Sequence, residues 1–183
     1  MVLQRFESLH AIEQACWQEL ARAAQAREHD WRLLALATVD GVEADVRTVV
    51  LREAQAAQRS LVIYTDARSR KVGQLRQHPR ASLLAWSPTL SWQLRIRVSI
   101  AVEDEGPEVA RRWSQLQYSP AAQDYLSAVP PGEALLERQD SPGSRGHLAL
   151  LRAQVQALDW LELHPEGHRR AVFDAQGARW VQP

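Results

Sequence analysis

Seven Lys or Arg residues and no Asp or Glu lie between Ala67 and Val102, in a chain whose formal charge is zero. Arg70 and Lys71 fall near the start of a segment with helical spacing, just after the strand-like run ending in Tyr64 and Thr65. Backbone N–H groups at a helix start attract anions, and two cationic side chains there strengthen the attraction. The Thr65 hydroxyl can donate to the same anion, and Arg47, on a neighbouring strand-like piece, can offer it a two-pronged guanidinium. Gln93, within a run of alternating apolar residues, carries a donor and an acceptor together and could read the edge of a heteroaromatic ring. Each residue alone has a plainer reading: solvated charge on an exposed helix, or a satisfied amide on a strand face. Together, with no acid close in sequence, they suit a ligand with a phosphate at one end and a flat organic body at the other.

Other chemistries are excluded more simply. The six histidines (His10, His29, His78, His147, His164 and His168) show no tight metal-ligand spacing. No G-x-S-x-G, Walker loop or G-x-G-x-x-G occurs. Cys16, the single cysteine, falls on the core face of a helix, where burial keeps a thiol inert. His168 is the one candidate general base, and a weak one. Balanced charge argues against coating nucleic acid or an anionic membrane. With no leader-like segment or apolar stretch long enough for a bilayer, and one cysteine, a cytoplasmic protein is expected.

The elements that must position these residues follow from periodicity. Leu9, Ile12, Cys16, Leu20 and Ala23 recur at three- and four-residue steps, predicting a helix over Ser8–Glu28. From Trp31 the period becomes two. Residues 33–39 and 45–52 read as a hairpin turning at Asp40-Gly41, and 61–65 as a third strand. A helix is predicted over Arg68–His78, stopped by Pro79. Residues 81–86 and 91–102 resume strand character around Ser87-Pro88. Pro107 and Pro120, the latter after a capping Ser119, start two short helices ending by Val129. Pro130–Gly146 reads as a loop, and 147–155, 158–163, 168–173 and 179–181 as final strands. The pattern predicts a mainly β fold: residues 1–30 as a helix packed on a barrel of residues 31–183, with a helical insert at 107–129. Seven tryptophans read chiefly as core and interface anchors.

Five segments in consistent order resemble the pyridoxamine 5′-phosphate oxidase group of FMN-binding split barrels. They are Arg47-Thr-Val-Val-Leu-Arg52; Tyr64-Thr-Asp-Ala-Arg-Ser-Arg-Lys71; Leu75 through Pro79-Arg-Ala-Ser-Leu-Leu84; Trp92-Gln-Leu94; and Trp160, His168-Arg-Arg170 and Trp180 to Pro183. The resemblance implies FMN as cofactor. It implies that Arg47, Arg70 and Lys71 hold its phosphate beside Tyr64 and Thr65, and that the backbone of Thr48, Val49, Val50 and Leu51 flanks the ring. Gln93 would bond the ring, and Trp160 and Arg170 would close the site. It further implies a homodimer with the pocket at a two-fold interface. Two departures concern the substrate. The family's Tyr–Arg–Ser phosphate cluster has no match in Arg112–Pro120, and Glu166 stands where the family has an arginine before the histidine. The W-G-G-F segment is also replaced, by Arg145-Gly-His-Leu-Ala-Leu150.

Two function classes follow: an FMN-dependent oxidoreductase acting on an unidentified small molecule, or a non-catalytic barrel that stores or senses a flavin or haem. Nucleic-acid binding through the basic segment is a distant third, because specific binders are usually basic overall.

Overall fold

The period-two apolar pattern becomes a β-barrel in the computed structural model, which describes residues 5–135 and 146–183. The strands are β1 (Leu33–Val39), β2 (Ala44–Gln55), β3 (Ser60–Asp66), β4 (Arg80–Ser87), β5 (Trp92–Glu103), β6 (Leu148–Glu162), β7 (Arg169–Asp174) and β8 (Gly177–Val181). They form one antiparallel sheet in the order β3-β2-β1-β4-β5-β6-β7-β8, and a further β3–β6 ladder closes the first six into a barrel. Strand β6 makes this possible by its length. Its first half pairs with β3, its last residues pair with β7, and β5 runs along most of it.

Sequence had suggested two strands at 147–155 and 158–163. They are one strand, in which Gln156 is the extra residue of a bulge opposite Arg97 and Val98. Inward residues such as Leu34, Leu36, Leu51, Ile63, Leu94, Ile96 and Trp160 fill the barrel. The hairpin turn between β1 and β2 is built by Asp40, whose carboxylate accepts from the N–H groups of Val42 and Glu43, and by Gly41 at φ 102°.

Helix α1 (Leu9–Gln25) lays Ile12, Cys16, Leu20 and Ala23 into the same core, and Ser8 caps it by accepting from the Ala11 N–H. Burial pushes the Cys16 thiol far above its ordinary range, so it is inert as a nucleophile. Helix α2 (Arg70–Gln77) plugs one end of the barrel with Val72 and Leu75. The insert is helix α3 (Pro107–Leu116) followed by a 3-10 helix, Pro120–Tyr125. The expected Ser119 cap is absent: its hydroxyl donates to the Leu116 carbonyl instead. The insert has its own small core, where Val109 and Tyr125 meet Leu148 and Leu150 beside Tyr64 and Trp113. Residues 136–145 of the expected 130–146 loop lie outside the described residues. No helix among the described residues is long and apolar enough to cross a membrane.

Candidate functional site

The site begins with a bulge. Strands β2 and β3 pair from Gln55↔Ser60 inward, but the register shifts between Leu51 and Glu53, leaving Arg52 unpaired, and the ladder stops at Leu51↔Ile63. Beyond that point β3 continues against β6 alone, while β2 continues against β1 alone. The two strands part, and a crevice of about 230 Å³ opens between them. Thr48, Val49, Val50 and Arg52 come from one lip and Tyr64, Thr65 and Asp66 from the other. Lys71 of α2 closes one end, and Asp124, Tyr125 and Pro131 of the insert the other. The edge of β2 that β3 abandons presents main-chain donors and acceptors to this opening.

Its cationic end is firmly built. The Lys71 ammonium donates to Thr65 Oγ1 at 3.0 Å, and that hydroxyl lies 3.3 Å from the Ser69 hydroxyl. Ser69 is the N-cap of α2, yet its side chain makes no capping hydrogen bond, so two buried hydroxyls and the first turn of a helix converge there. Arg47 reaches the same region from the inner face of β2. Its guanidinium donates to Thr38 Oγ1 at 2.6 Å, Leu36 O at 3.2 Å and Gln74 Oε1 at 3.2 Å, and pairs with Asp45 at 2.5 Å. Thr38 in turn donates to Gln74 Oε1 at 2.6 Å. This buried chain ties β2, β1 and α2 together and fixes Arg47. Burial, and then the charge of Arg47, hold the Lys71 amine below the ordinary lysine range, with Asp66 and Asp45 opposing. Lys71, repelled by Arg47 and set beside two buried hydroxyls, is the group here with the chemistry to accept an anion.

Apart from Arg80, the rest of the acid-free stretch is neutralised by acids from elsewhere, contrary to the sequence reading. Arg68 is chelated by Asp66, Arg70 pairs with Asp40 at 2.9 Å, and Arg76 pairs with Asp104 at 2.6 Å. Arg95 pairs with Asp159 and Arg97 with Asp174. Strand pairing and turns bring in acids that are distant in sequence. Arg70 is two-thirds exposed and directed at the β1–β2 turn, so the structure does not bring it to Lys71.

The three later candidates lie elsewhere in the chain. Gln93, Leu161 and Arg170 are cross-strand neighbours in one row, and Arg170 holds Asp159 at 2.8 and 2.9 Å. Trp160 belongs to the next row, opposite Leu94 and Ala171, and so faces inward. It is fully buried, its ring set edge-on to Trp92 at 5.4 Å, and its Nε1 has no hydrogen-bond partner. His168 is also remote from the crevice. Its Nδ1 accepts from the His164 N–H within the β6–β7 turn.

Sequence reasoning missed six contributors: Arg52, Asp66, Ser69, Asp124, Tyr125 and Pro131. Arg52 shares the outward face of β2 with Thr48 and Val50, so period two could have found it. The insert residues gave no such signal. The outward faces of β1, β2, β4 and β5 also carry two wider hollows, of about 840 and 540 Å³. These are larger than the crevice but lack its hydroxyl–amine cluster. Apolar side chains stand exposed around them: Leu33, Val46, Leu84 and Trp86.

Comparison with known proteins shows the chain's relatives. The family model for the pyridoxamine 5′-phosphate oxidase FMN-binding domain matches residues 14–104, which include Arg47, Tyr64, Thr65, Lys71 and Gln93. The pyridoxine/pyridoxamine 5′-phosphate oxidase of Anaeromyxobacter dehalogenans is 40% identical over 175 residues, covering 88% of this chain and 87% of that protein. The enzyme of that name from Granulibacter bethesdensis is 27% identical over 182 residues, covering 91% and 85%. Two solved structures share the fold. A pyridoxamine 5′-phosphate oxidase-related, FMN-binding protein of Nostoc punctiforme aligns with TM-score 0.74 at 21% identity, covering 98% of this chain and 100% of that one. PhzG of Burkholderia lata, in complex with tetrahydrophenazine-1-carboxylic acid, aligns with TM-score 0.78 at 18% identity, covering 98% of each chain.

Proposed function

The chain belongs to the pyridoxamine 5′-phosphate oxidase family of FMN-binding split barrels, and from that premise we propose that it is an FMN-dependent oxidoreductase acting on a small molecule. One observation carries the proposal. Lys71 is held at the start of α2 beside the buried hydroxyls of Thr65 and Ser69, close enough to Arg47 to be repelled by it, where the parting of β2 from β3 leaves room for a ligand. Lys71, whose amine is disfavoured as a cation by burial and by Arg47 and has no direct ion pair among the described residues, gains most from a phosphate. The residues therefore fit FMN. At about 230 Å³ the crevice is below the roughly 300–1,000 Å³ of ordinary ligand pockets, so it holds one end of the cofactor.

In this reading Lys71, Thr65 and Ser69 bind the phosphate and Arg47 supplies the second charge. The backbone of Thr48, Val49, Val50 and Leu51, whose edge is free of β3 beyond Leu51, lies along the ring, beside Tyr64. Bound FMN would supply a ring that accepts a hydride or two electrons. The protein's own part is to anchor and orient that ring, to place hydrogen-bond donors near it, and to exclude water.

The same proposal includes a homodimer. The outward face running from Thr48 through Ala35 and Leu84 to Arg95 is continuous across four strands, and its exposed apolar residues need cover. A two-fold copy on that face would bring Gln93 and Arg170, with Trp160 behind them, toward the other chain's crevice; Arg70 would join the phosphate by exchanging Asp40 for it. A cytoplasmic setting belongs to this reading too.

The test is direct. Purified protein should be yellow, release FMN identifiable by mass on denaturation, and bleach anaerobically with an organic donor, regaining colour in air. A colourless protein indifferent to added FMN contradicts the cofactor assignment. A yellow protein that no organic amine, dihydroaromatic ring or nicotinamide donor bleaches contradicts the oxidoreductase assignment.

A further inference from the structure

This inference rests on the FMN reading above and concerns what sets the grip on its phosphate. Both terminal nitrogens of Arg47 are already committed. One donates to Leu36 O at 3.2 Å and to Thr38 Oγ1 at 2.6 Å. The other donates to Gln74 Oε1 at 3.2 Å and pairs with Asp45 Oδ2 at 2.5 Å. A two-pronged grip on a phosphate therefore requires that one of these partners leave.

The partners are not equally free to go. Leu36 O is main chain of β1. Thr38 and Gln74 are buried and bonded to each other, so either one abandoned becomes a buried polar group short of a partner. Asp45 alone is charged and reaches water, its side chain 36% exposed opposite Thr38 at the start of β2. Turned outward, its carboxylate exchanges the guanidinium for solvent. That departure also releases a donor. With Gln74 Oε1 fixed by Thr38 and Arg47, Gln74 Nε2 faces Asp45 Oδ2 at 3.5 Å. Asp45 and Arg47 both act on the charge of Lys71, so the three groups surround one place.

We propose that Asp45 is a built-in placeholder for the cofactor phosphate: its carboxylate holds Arg47 until the phosphate takes its place, with Gln74 Nε2 as a further donor. The consequence is a selectivity between flavins. A phosphate monoester carries about −1.5 to −2 at neutral pH and must drive out a group of its own sign. The clamp therefore holds FMN less tightly than its cations allow. Riboflavin has the same ring and ribityl chain with a hydroxyl in place of the phosphate, brings no charge, and leaves Asp45 where it is. Asp45 thus sets the margin between the two.

The test is flavin fluorescence titration of the dialysed full-length protein with FMN and with riboflavin, for wild type, Asp45→Asn, Arg47→Gln and the double variant. Asp45→Asn should tighten FMN by about tenfold and move riboflavin by less than about twofold. In the Arg47→Gln background the same substitution should lose most of that gain, because the two residues act on each other. Asp45→Ser repeats the measurement if Asp45→Asn does not fold. Unchanged or weaker FMN binding in the Asp45 variant, equal tightening of both flavins, or a full gain without Arg47 overturns the proposal. A wild type that quenches neither flavin is a separate outcome, which overturns the cofactor reading beneath it.

Discussion

At the scale of single residues, the absence of a direct ion pair among the described residues sets Lys71 apart from most arginines of the basic stretch, while Arg47 keeps Asp45 as a partner. Arg70, Arg76, Arg95 and Arg97 each have an acid brought by the fold, whereas Lys71 has hydroxyls and a repelling neighbour in Arg47. The linear sequence showed the basic stretch but could not show its partners, because Asp40, Asp104, Asp159 and Asp174 all lie outside it. The depressed Lys71 amine has a measurable consequence. A bound phosphate raises that amine's pKa, so above the depressed value FMN binding takes up a proton. Affinity should therefore hold near neutrality and fall as pH rises toward the ordinary lysine value of about 10.4. The FMN dissociation constant measured across that range checks this, and Lys71→Met should remove most of the slope. For folding the sign is opposite. A buried lysine whose charged form is disfavoured destabilises the cofactor-free protein below its depressed pKa, and the penalty fades as pH rises from there to the unfolded value. Cofactor-free Lys71→Met should thus melt no lower than wild type at neutral pH in a thermal scan, even as it loses FMN.

At the scale of elements, the crevice exists because β2 and β3 part at the Arg52 bulge, and it is stiff because Thr38, Arg47 and Gln74 bind three elements together. Thr38→Val removes the shared hydroxyl and leaves Arg47 and Gln74 each short of a partner in a buried place. It should cost about 1–3 kcal/mol in urea unfolding and weaken FMN through a loosened Arg47. Most of the elements were legible in advance. Leu9, Ile12, Cys16 and Leu20 marked α1, alternation marked β1 and β5, and Pro79 marked the end of α2. The joining of 148–162 into one strand was not legible, because a bulge residue such as Gln156 breaks the alternation just as a turn would. Trp160 shows the same limit. The family resemblance implied that it closes the site, and strand parity, counted back from Arg170 through the pairing, turns its side chain inward. Arg52 was equally available to a parity argument, while Asp124 and Tyr125 depended on how the insert folds back over β6.

At the scale of the whole molecule, one chain carries both a cationic crevice and, on the outward face of β1, β2, β4 and β5, exposed apolar side chains. The homodimer reading joins the two. Val46 is two-thirds exposed at the centre of that face, so Val46→Asp should shift the protein to monomer in sedimentation velocity. It should also lower FMN affinity by about tenfold, through loss of whatever the second copy contributes. Unchanged mass with unchanged affinity would mean that the apolar face serves another purpose. The central claim is narrower: Lys71 at the start of α2, with Arg47 of β2 near it, is proposed to grip the phosphate of FMN. Fluorescence titration of FMN into dialysed wild type, Arg47→Gln and Lys71→Met measures it most directly, with circular dichroism confirming that each is folded. The account predicts saturable quenching at one FMN per chain for wild type and dissociation constants raised about tenfold or more in each variant. Flavin fluorescence that the wild type leaves unchanged, or folded variants that bind as tightly as it does, would contradict the account.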